Sequence, residues 1–467
     1  MNPDLIQLGA VDLAQAFAAG RLSPVEVTQA VIQQIQRREP RLQALYAFDA
    51  DAALAQARAS EQRWQAGQPL SALDGVPGTL KENIASQGHA MPVGSAATEL
   101  LPLDWDAPPA ARWREAGLVL LAKTTMPDYG MLSSGLSSFH ATARNPWDTR
   151  LTPGGSSAGA GSAAAAGYGP LHVGTDIGGS VRLPAGWCGL VGFKPSAGRV
   201  PIKPPYTGRV AGPMTRSVLD AAWLMAVLSQ PDARDATCLP PAHFDWLQLE
   251  RDLRGLRIGL QLDAGWGLPV QPDTLAAVRA AARLFEAAGA VVEPLAPFTT
   301  RDMIDGLDRF WRMRSWLDLQ ALPEARRAKV LPYIRQWVAS SATLAAAELF
   351  HGQAQMAAIR DATLAGTARF DFVLSPTCPV PAFAADWASP VNDPEQPFEH
   401  IAFTLPYNMS EQPAISLNCG FTADPLPLPI GLQIAGRRHD DLGVLQVAAA
   451  FEALRGAMPV WPMAAPE

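Results

Sequence analysis

The chain has 467 residues, of which 48% are hydrophobic and 17% charged, and its formal net charge is −7. This balance excludes a disordered chain and a basic protein that binds nucleic acid. The four cysteines are widely separated and form no CxxC pair, so neither a disulfide framework nor a zinc site is expected.

The first 70 residues predict a helical lead-in. Apolar residues recur at helical spacing between Val25 and Ile35, and Ser23-Pro24 supplies a helix cap and a first-turn proline. Asp4 and Asp12 stand where a secretory signal would need a basic start and an apolar core. No apolar stretch approaches the roughly 18 residues of a membrane span. The sequence therefore predicts a soluble, cytoplasmic protein with no membrane partner.

Beyond residue 70, short apolar segments alternate with helical ones. Strands are expected at VLLA, PLHVG, GLVGF, LRIGLQL, AVVEPL, FDFVLSPT, PAISLNCGF and PIGLQIAG. Residues 301–365 are predicted to form peripheral helices, and a last helix is expected at about 441–455. Repeated β and α segments predict one large α/β/α domain over residues 1–467, with a central mixed sheet flanked by helices.

The segment from residue 151 to 200 is crowded with Gly, Ser and Ala. Its only charged residues are Asp176, Arg182, Lys194 and Arg199. A flexible linker has a similar composition, but it would not contain Trp187 or apolar pieces that resemble strands. The segment is therefore expected to lie inside the folded domain.

Two glycine motifs that mark nucleotide-binding sites find little support in this sequence. Gly159–Ala164 fits a loose GxGxxA dinucleotide-binding pattern, but no clear strand precedes it. The GxxxxGK[ST] phosphate-binding loop is absent. Neither a nucleotide nor any other cofactor is predicted.

A GxSxG motif spans Gly155–Gly159 and offers a rival interpretation. This motif marks the nucleophile of α/β-hydrolases, and His439 lies late in the chain, where the base of such an enzyme would follow. The preceding residues RLTPGG do not form the buried strand that should lead into that nucleophile. The hydrolase interpretation remains as an alternative.

A serine directly follows two glycines in Gly174–Arg182. Glycines let consecutive backbone N–H groups point at one spot, as an oxyanion hole in acyl transfer requires. A second serine pair lies 24 residues upstream, counted from Ser156 to Ser180, and Lys81 stands in an otherwise uncharged segment. A buried, neutral lysine can activate a serine. The plain alternatives are a tight turn and a surface lysine that pairs with Glu82.

Together these segments resemble the amidase signature family. The resemblance covers nearly the whole chain and is strongest in GVPGTLKEN, EAGLVLLAKTTMP, ARNPWD, TPGGSSAG and GTDIGGSVRLPAGWCGLVGFKPSAGRV. The family uses a Ser-Ser-Lys triad. By position, the resemblance implies Ser180 as the nucleophile, Ser156 as the bridging serine in a cis peptide bond, and Lys81 as the base.

The resemblance also implies the remaining parts of a catalytic site. An oxyanion hole would be formed by the N–H groups of Ile177, Gly178, Gly179 and Ser180. Asp176 and Arg182 would brace this loop from inside the protein. Gly130 and Met131 are expected to contact the substrate, and Trp311, Trp316 and Trp337 could shape the pocket or simply belong to the core. No metal is implied.

Three positions depart from the usual family pattern. Ala158 replaces a glycine next to the bridging serine, and Glu82 replaces an aspartate. Leu183 stands where the A-type subunits of tRNA-dependent amidotransferases usually carry glutamine, which favours a free-standing amidase. The predicted partner is a small amide, and a homodimer is also considered. A degenerate, non-enzymatic binding protein and an amidotransferase subunit remain as alternatives.

Overall fold

The structure, a computed structural model, describes residues 5–423, 425–458 and 461–463. Its strands are β1 (Leu45–Tyr46), β2 (Pro77–Lys81), β3 (Val119–Thr124), β4 (Leu171–Asp176), β5 (Val191–Lys194), β6 (Val210–Thr215), β7 (Arg257–Leu260), β8 (Val291–Pro294), β9 (Phe372–Pro376), β10 (Ala414–Phe421) and β11 (Pro429–Gly436). Its helices are α1 (Ala10–Ala18), α2 (Pro24–Leu42), α3 (Ala50–Gln65), α4 (Pro108–Glu115), α5 (Ala158–Ala165), α6 (Arg182–Cys188), α7 (Val218–Leu228), α8 (Pro272–Ala287), α9 (Arg301–Gln320), α10 (Glu324–Arg327), α11 (Pro332–Ala339), α12 (Ala346–Thr367), α13 (Leu405–Met409) and α14 (Asp441–Arg455).

Within the described residues, eleven strands form one sheet in the order β1-β3-β2-β4-β6-β5-β10-β11-β9-β7-β8. Strand β2 runs parallel to both β3 and β4, and β7 runs parallel to both β8 and β9. The strands between these two groups pair antiparallel. The mixed α/β sheet predicted from the sequence is therefore confirmed.

Helices cover both faces of the sheet. In β3, Leu120 packs with Trp113 of α4 in a core that also includes α1, α7, α8 and α14. Its neighbours Val119 and Leu121 pack with residues of α2 and α3. Because successive side chains of a strand point to opposite faces, the two cores lie on opposite sides of the sheet.

The predicted lead-in contains α1, α2 and α3. The hydroxyl of Ser23 caps α2 by accepting a hydrogen bond from the amide of Val25 at 3.0 Å, and Pro24 is the first residue of that helix. Among the described helices, none is long and apolar enough to cross a membrane. Residues 1–4 of the lead-in, and 424, 459–460 and 464–467 of the predicted domain, lie outside the described part, so a single domain over 1–467 stays a prediction.

Glycines near the predicted catalytic residues allow close packing that the amino-acid composition of these segments did not reveal. Strand β2 was not predicted, because PGTLK contains Pro, Gly and a charged residue. A Cβ at Gly78 would lie 2.0 Å from the carbonyl oxygen of Leu171, so only glycine lets β2 approach β4. In α5, a Cβ at Gly159 would lie 2.1 Å from the carbonyl oxygen of Ala44. The Gly-Ser-Ala segment is therefore a tightly packed part of the fold.

Candidate active site

The central parallel strands bring Lys81 and the loop after β4 to one edge of the sheet. Lys81 is the last residue of β2, and Asp176 is the last residue of the neighbouring strand β4. Carboxyl ends of adjacent parallel strands meet at the same edge, which is where α/β proteins place their ligands. Ser180 lies in the loop that follows β4, and Ser156 lies just before α5.

Lys81 is completely buried and contacts the upstream serine pair. Its Nζ lies 2.7 Å from Ser156 Oγ and 3.1 Å from Ser157 Oγ. Burial lowers the pKa of Lys81 well below 10.5, and the positive charge of Arg209 lowers it further, against the opposing effect of Asp176 and Glu82. The neutral amine favoured by this environment can accept a proton.

The alternative of a surface lysine paired with Glu82 is wrong. Lys81 has no exposed surface, and the Glu82 carboxylate is hydrogen-bonded to His140 Nε2 at 2.8 Å. Burial raises the pKa of Glu82, although the hydrogen bond from His140 opposes this effect.

The two serines of the upstream pair have different surroundings. The peptide bond between Gly155 and Ser156 is cis, and Ser156 lines the cavity described below. Ser157 is fully buried, donates its hydroxyl to the carbonyl oxygen of Thr175 at 3.2 Å, and donates its amide to the carbonyl oxygen of Ser180 at 3.2 Å. Ser157 therefore ties the two loops together, while Ser156 faces the open space.

The loop that carries Ser180 is organised by Asp176. Its carboxylate accepts hydrogen bonds from the amides of Gly179 at 2.8 Å and Val181 at 3.0 Å. The amide of Gly179, one of the predicted oxyanion donors, is thus already occupied. In the described part of the chain, the amides of Ile177, Gly178 and Ser180 donate to no protein acceptor.

Asp176 and Arg182 form an ion pair of 2.9 Å in which neither side chain is exposed. Burial alone would raise the pKa of Asp176, but the charge and hydrogen bonds of Arg182, with a hydrogen bond from Asn408, hold it below its usual range. Arg182 Nη1 also donates to the carbonyl oxygen of Thr404 at 2.9 Å and to Gln433 Oε1 at 2.7 Å. The pair connects the Ser180 loop to α13 and β11.

A cavity of about 620 Å³ opens beside these groups and is lined by both Ser156 and Ser180. Gly130 and Met131, predicted to contact substrate, also line it, and a Cβ at Gly130 would lie 3.2 Å from Ser156 Oγ. Most of the wall is apolar, including Met126, Leu132, Trp311, Trp337, Phe398 and Ile401. Trp316 is absent from the lining and packs on the adjacent apolar core.

The cavity also contains residues that the sequence did not single out. Tyr206 and Arg209 come from the segment before β6, and Arg314 and Asp318 come from α9. No local motif marks them, since they reach the site through contacts between distant parts of the chain. Among the described residues, no cluster of His, Cys, Asp or Glu could hold a metal ion.

The GxSxG interpretation finds no support in this geometry. Its serine is Ser157, which contacts Lys81, whereas His439 does not line the cavity. The amide of His439 instead donates to Ser196 Oγ at 3.1 Å. The side-chain nitrogen that contacts the serine pair therefore belongs to a lysine and not to His439.

Comparison with known proteins identifies the family. The profile described as Amidase matches residues 26–445. The chain belongs to the amidase signature family. It is an enzyme of the class that hydrolyses amide carbon–nitrogen bonds, and the resemblance recognised in the sequence is confirmed.

The chain is similar to relatives whose names denote different activities. It is 36% identical to the A-type subunit of the glutamyl-tRNA(Gln) amidotransferase of Myxococcus xanthus, over 96% of this chain and 97% of that protein. It is 31% identical to an acylamidase of Rhodococcus erythropolis, over 96% and 95%. The crystal structure of a bacterial aryl acylamidase superposes with a TM-score of 0.89 at 29% identity, covering 98% of this chain and 99% of that one.

Proposed function

We propose that the chain is a free-standing amidase that hydrolyses a carboxylic acid amide to the acid and ammonia or an amine, through an acyl-enzyme on Ser180. The observation that carries this proposal is the 2.7 Å contact between Lys81 Nζ and Ser156 Oγ, beside a cavity lined by Ser156 and Ser180. A deprotonated lysine next to a serine provides the base that a weak nucleophile needs.

In the first step, neutral Lys81 takes the proton of Ser156 while Ser156 takes the proton of Ser180. The Ser180 oxygen attacks the amide carbonyl carbon, and the carbonyl oxygen becomes an oxyanion. The amides of Ile177, Gly178 and Ser180 stabilise this charge, because within the described residues they have no protein acceptor. We assign the amide of Gly179 to holding the loop, since it donates to Asp176.

The same relay then runs in reverse. Lys81 returns a proton through Ser156 to the leaving nitrogen, the carbon–nitrogen bond breaks, and the acyl group stays on Ser180. Water, deprotonated by the same pair, attacks the ester and releases the acid. Neither step needs a cofactor.

An A-type subunit of an amidotransferase is the second candidate, favoured by the 36% identity to such a protein. Residue 183 argues against it, because Leu183 is buried in an apolar cluster with Leu132 and Trp187 instead of presenting the glutamine usual in A-type subunits. Glutaminase activity that appears only with a partner protein would support this candidate. Hydrolysis of simple amides by the isolated chain would reject it. A homodimer stays a prediction.

The decisive experiment combines a panel of amides with labelling of the nucleophile. The purified chain should hydrolyse at least one short aliphatic, aryl, amino-acid or long-chain amide, and a fluorophosphonate should label Ser180. Ser180→Ala should lose both properties, with a fall in kcat of at least about 10⁴-fold. Equal turnover by both proteins would overturn the mechanism, and failure of Ser180 to react would favour a degenerate binding protein.

Two variants provide a matched control. Lys81→Ala should abolish turnover, whereas His439→Ala should leave it unchanged, because His439 does not line the cavity. Loss of activity in His439→Ala with retention in Lys81→Ala would instead support the α/β-hydrolase interpretation.

A further inference from the structure

The cavity carries more positive charge than the proposed reaction uses. Lys203, Arg209 and Arg314 line it, and among the described residues none of them forms an ion pair within 4.0 Å. The lining carboxylates are Asp176, which is paired with Arg182, and Asp318. In a chain of net charge −7, this concentration of cations is a local feature of the cavity.

Arg314 is the cation with the strongest need for a partner. Its Cζ lies 4.5 Å from the centroid of the Tyr206 ring, which holds the guanidinium in place. Its Nη1 is buried and has no hydrogen-bond partner in the described part of the chain. Burial lowers the pKa of Arg314, and Asp318 opposes this effect only from beyond ion-pair distance. A buried charged donor without an acceptor is costly and calls for an explanation.

Arg209 extends the positive charge towards the catalytic groups. It donates to the carbonyl oxygen of Pro204 at 2.8 Å, but among the described residues it has no carboxylate partner. Its charge also lowers the pKa of Lys81, so Arg209 helps to keep the proposed base neutral. Arg314 is not among the charges that shift Lys81, so that role does not account for it.

We propose that the substrate carries a carboxylate, separated from the scissile amide by an apolar chain or ring, and that Arg314 binds this carboxylate. The planar guanidinium fork matches a carboxylate, and the pairing would satisfy Nη1. The apolar side chains Trp311, Trp337 and Phe398 line the same cavity and suit the intervening chain or ring. This inference rests on the proposed amidase function and names its substrate class.

The test compares matched pairs of primary amides. One series contains ω-carbamoyl alkanoates of increasing length, each paired with the alkanamide of equal length. An aromatic pair is 4-carbamoylbenzoate and 4-methylbenzamide. We expect the wild-type enzyme to have a higher kcat/KM for the carboxylate member of at least one pair. The cationic analogue 4-(aminomethyl)benzamide should be the poorest aromatic substrate.

Variants of α9 assign the preference to Arg314. Arg314→Gln should lower kcat/KM for the preferred carboxylate by about 10- to 100-fold, as expected for one charged hydrogen bond, and lower kcat/KM for the neutral amide much less. Arg314→Lys should restore part of the loss. Asp318→Asn should increase the carboxylate preference. Arg309→Gln, on the same helix but outside the cavity lining, is the matched control and should change neither class.

Two outcomes would overturn the inference: no carboxylate preference in any pair, or an equal loss for carboxylate and neutral amides in Arg314→Gln. The latter would show that Arg314 merely holds Tyr206. Titration calorimetry should measure the binding of 4-carbamoylbenzoate and the ω-carbamoyl alkanoates to Ser180→Ala, with and without Arg314→Gln. Because Ser180→Ala lacks the proposed nucleophile, this measurement tests carboxylate binding independently of hydrolysis. If no amide is hydrolysed, the proposed function fails, and the binding comparison still decides whether Arg314 holds an anion.

Discussion

Glu82 Oε2 lies 2.8 Å from His140 Nε2, so the acid next to the proposed base in sequence is paired with a histidine and not with the lysine. Its negative charge nevertheless raises the pKa of Lys81 from a distance. Glu82→Gln keeps the size and removes the charge. We therefore expect the pKa of Lys81 to fall further, which moves the acidic limb of the pH dependence of kcat/KM to lower pH, by about one unit.

The pH profile of each variant measures this shift, and Glu99→Gln at an exposed position is the control. An acidic limb that stays in place or moves to higher pH would contradict the assignment of that limb to Lys81.

The buried lysine should also affect stability in a pH-dependent way. Burial lowers the pKa of Lys81 well below 10.5, so between the lowered pKa and about 10.5 the unfolded chain binds a proton that the folded chain does not. The free energy of unfolding should therefore increase steadily as the pH rises through this window. Relative to Lys81→Met, the wild type should gain about 1.4 kcal/mol per pH unit.

Urea unfolding of both proteins at several pH values between about 7 and 10 measures this difference. Titration of all other groups is shared by the two proteins and cancels. A constant difference across the window would show that Lys81 keeps an ordinary pKa in the folded state.

The two neighbouring serines should respond differently to substitution. Ser156→Ala removes the group between Lys81 and the cavity, so we expect kcat to fall by about 10²- to 10⁴-fold, the range of a lost proton relay. Ser157→Ala removes contacts with Lys81 and Thr175. Compared with Ser156→Ala, it should lower kcat less and lower the free energy of unfolding more. Steady-state kinetics and thermal unfolding of both variants give the comparison. A larger loss of kcat in Ser157→Ala than in Ser156→Ala would mean that Ser157, and not Ser156, is the bridging serine.

The buried pair of Asp176 and Arg182 predicts a large and coupled effect on stability. Asp176→Asn leaves the Arg182 guanidinium buried without its counter-ion and should destabilise the fold by about 3–5 kcal/mol. It should also slow labelling of Ser180 by a fluorophosphonate, because the carboxylate holds the amides of Gly179 and Val181.

The double variant Asp176→Asn/Arg182→Met should be less destabilised than the sum of the single variants, since it removes both charges together. Urea unfolding of the four proteins measures this coupling. Simple additivity would mean that the ion pair does not hold the loop.

Local sequence patterns were sufficient to predict most of the regular fold. The helices α2 and α8 have apolar residues at helical spacing and a proline in the first turn, and the strands β3, β9, β10 and β11 are short apolar segments. Strands β1, β2 and β6 and helices α4, α5, α6, α7 and α13 were not predicted. In β2, α5 and α6, glycine and proline disfavour these structures in isolation. Their stability comes from tertiary packing, as the approach of Gly78 to Leu171 shows.

The candidate site divides in the same way. Lys81, Ser156 and Ser180 could be named because they lie in recognisable motifs, whereas Arg314 could not, because it is one of several arginines on an amphipathic helix. What distinguishes Arg314 is a three-dimensional property: a stacking contact with Tyr206, far earlier in the chain, and a buried donor that has no acceptor among the described residues. Such properties depend on contacts that no local pattern encodes.

The position of β2 between β3 and β4 has a consequence for how this enzyme can change. Backbone amides of central strands exchange with solvent mainly through global unfolding, so Lys81 and the start of the Ser180 loop should stay in register for as long as the protein is folded. Part of the cavity wall, by contrast, comes from α9 and α11, which are not part of the sheet. Sequence change can therefore remodel substrate choice on those helices while the proposed base stays fixed in the sheet.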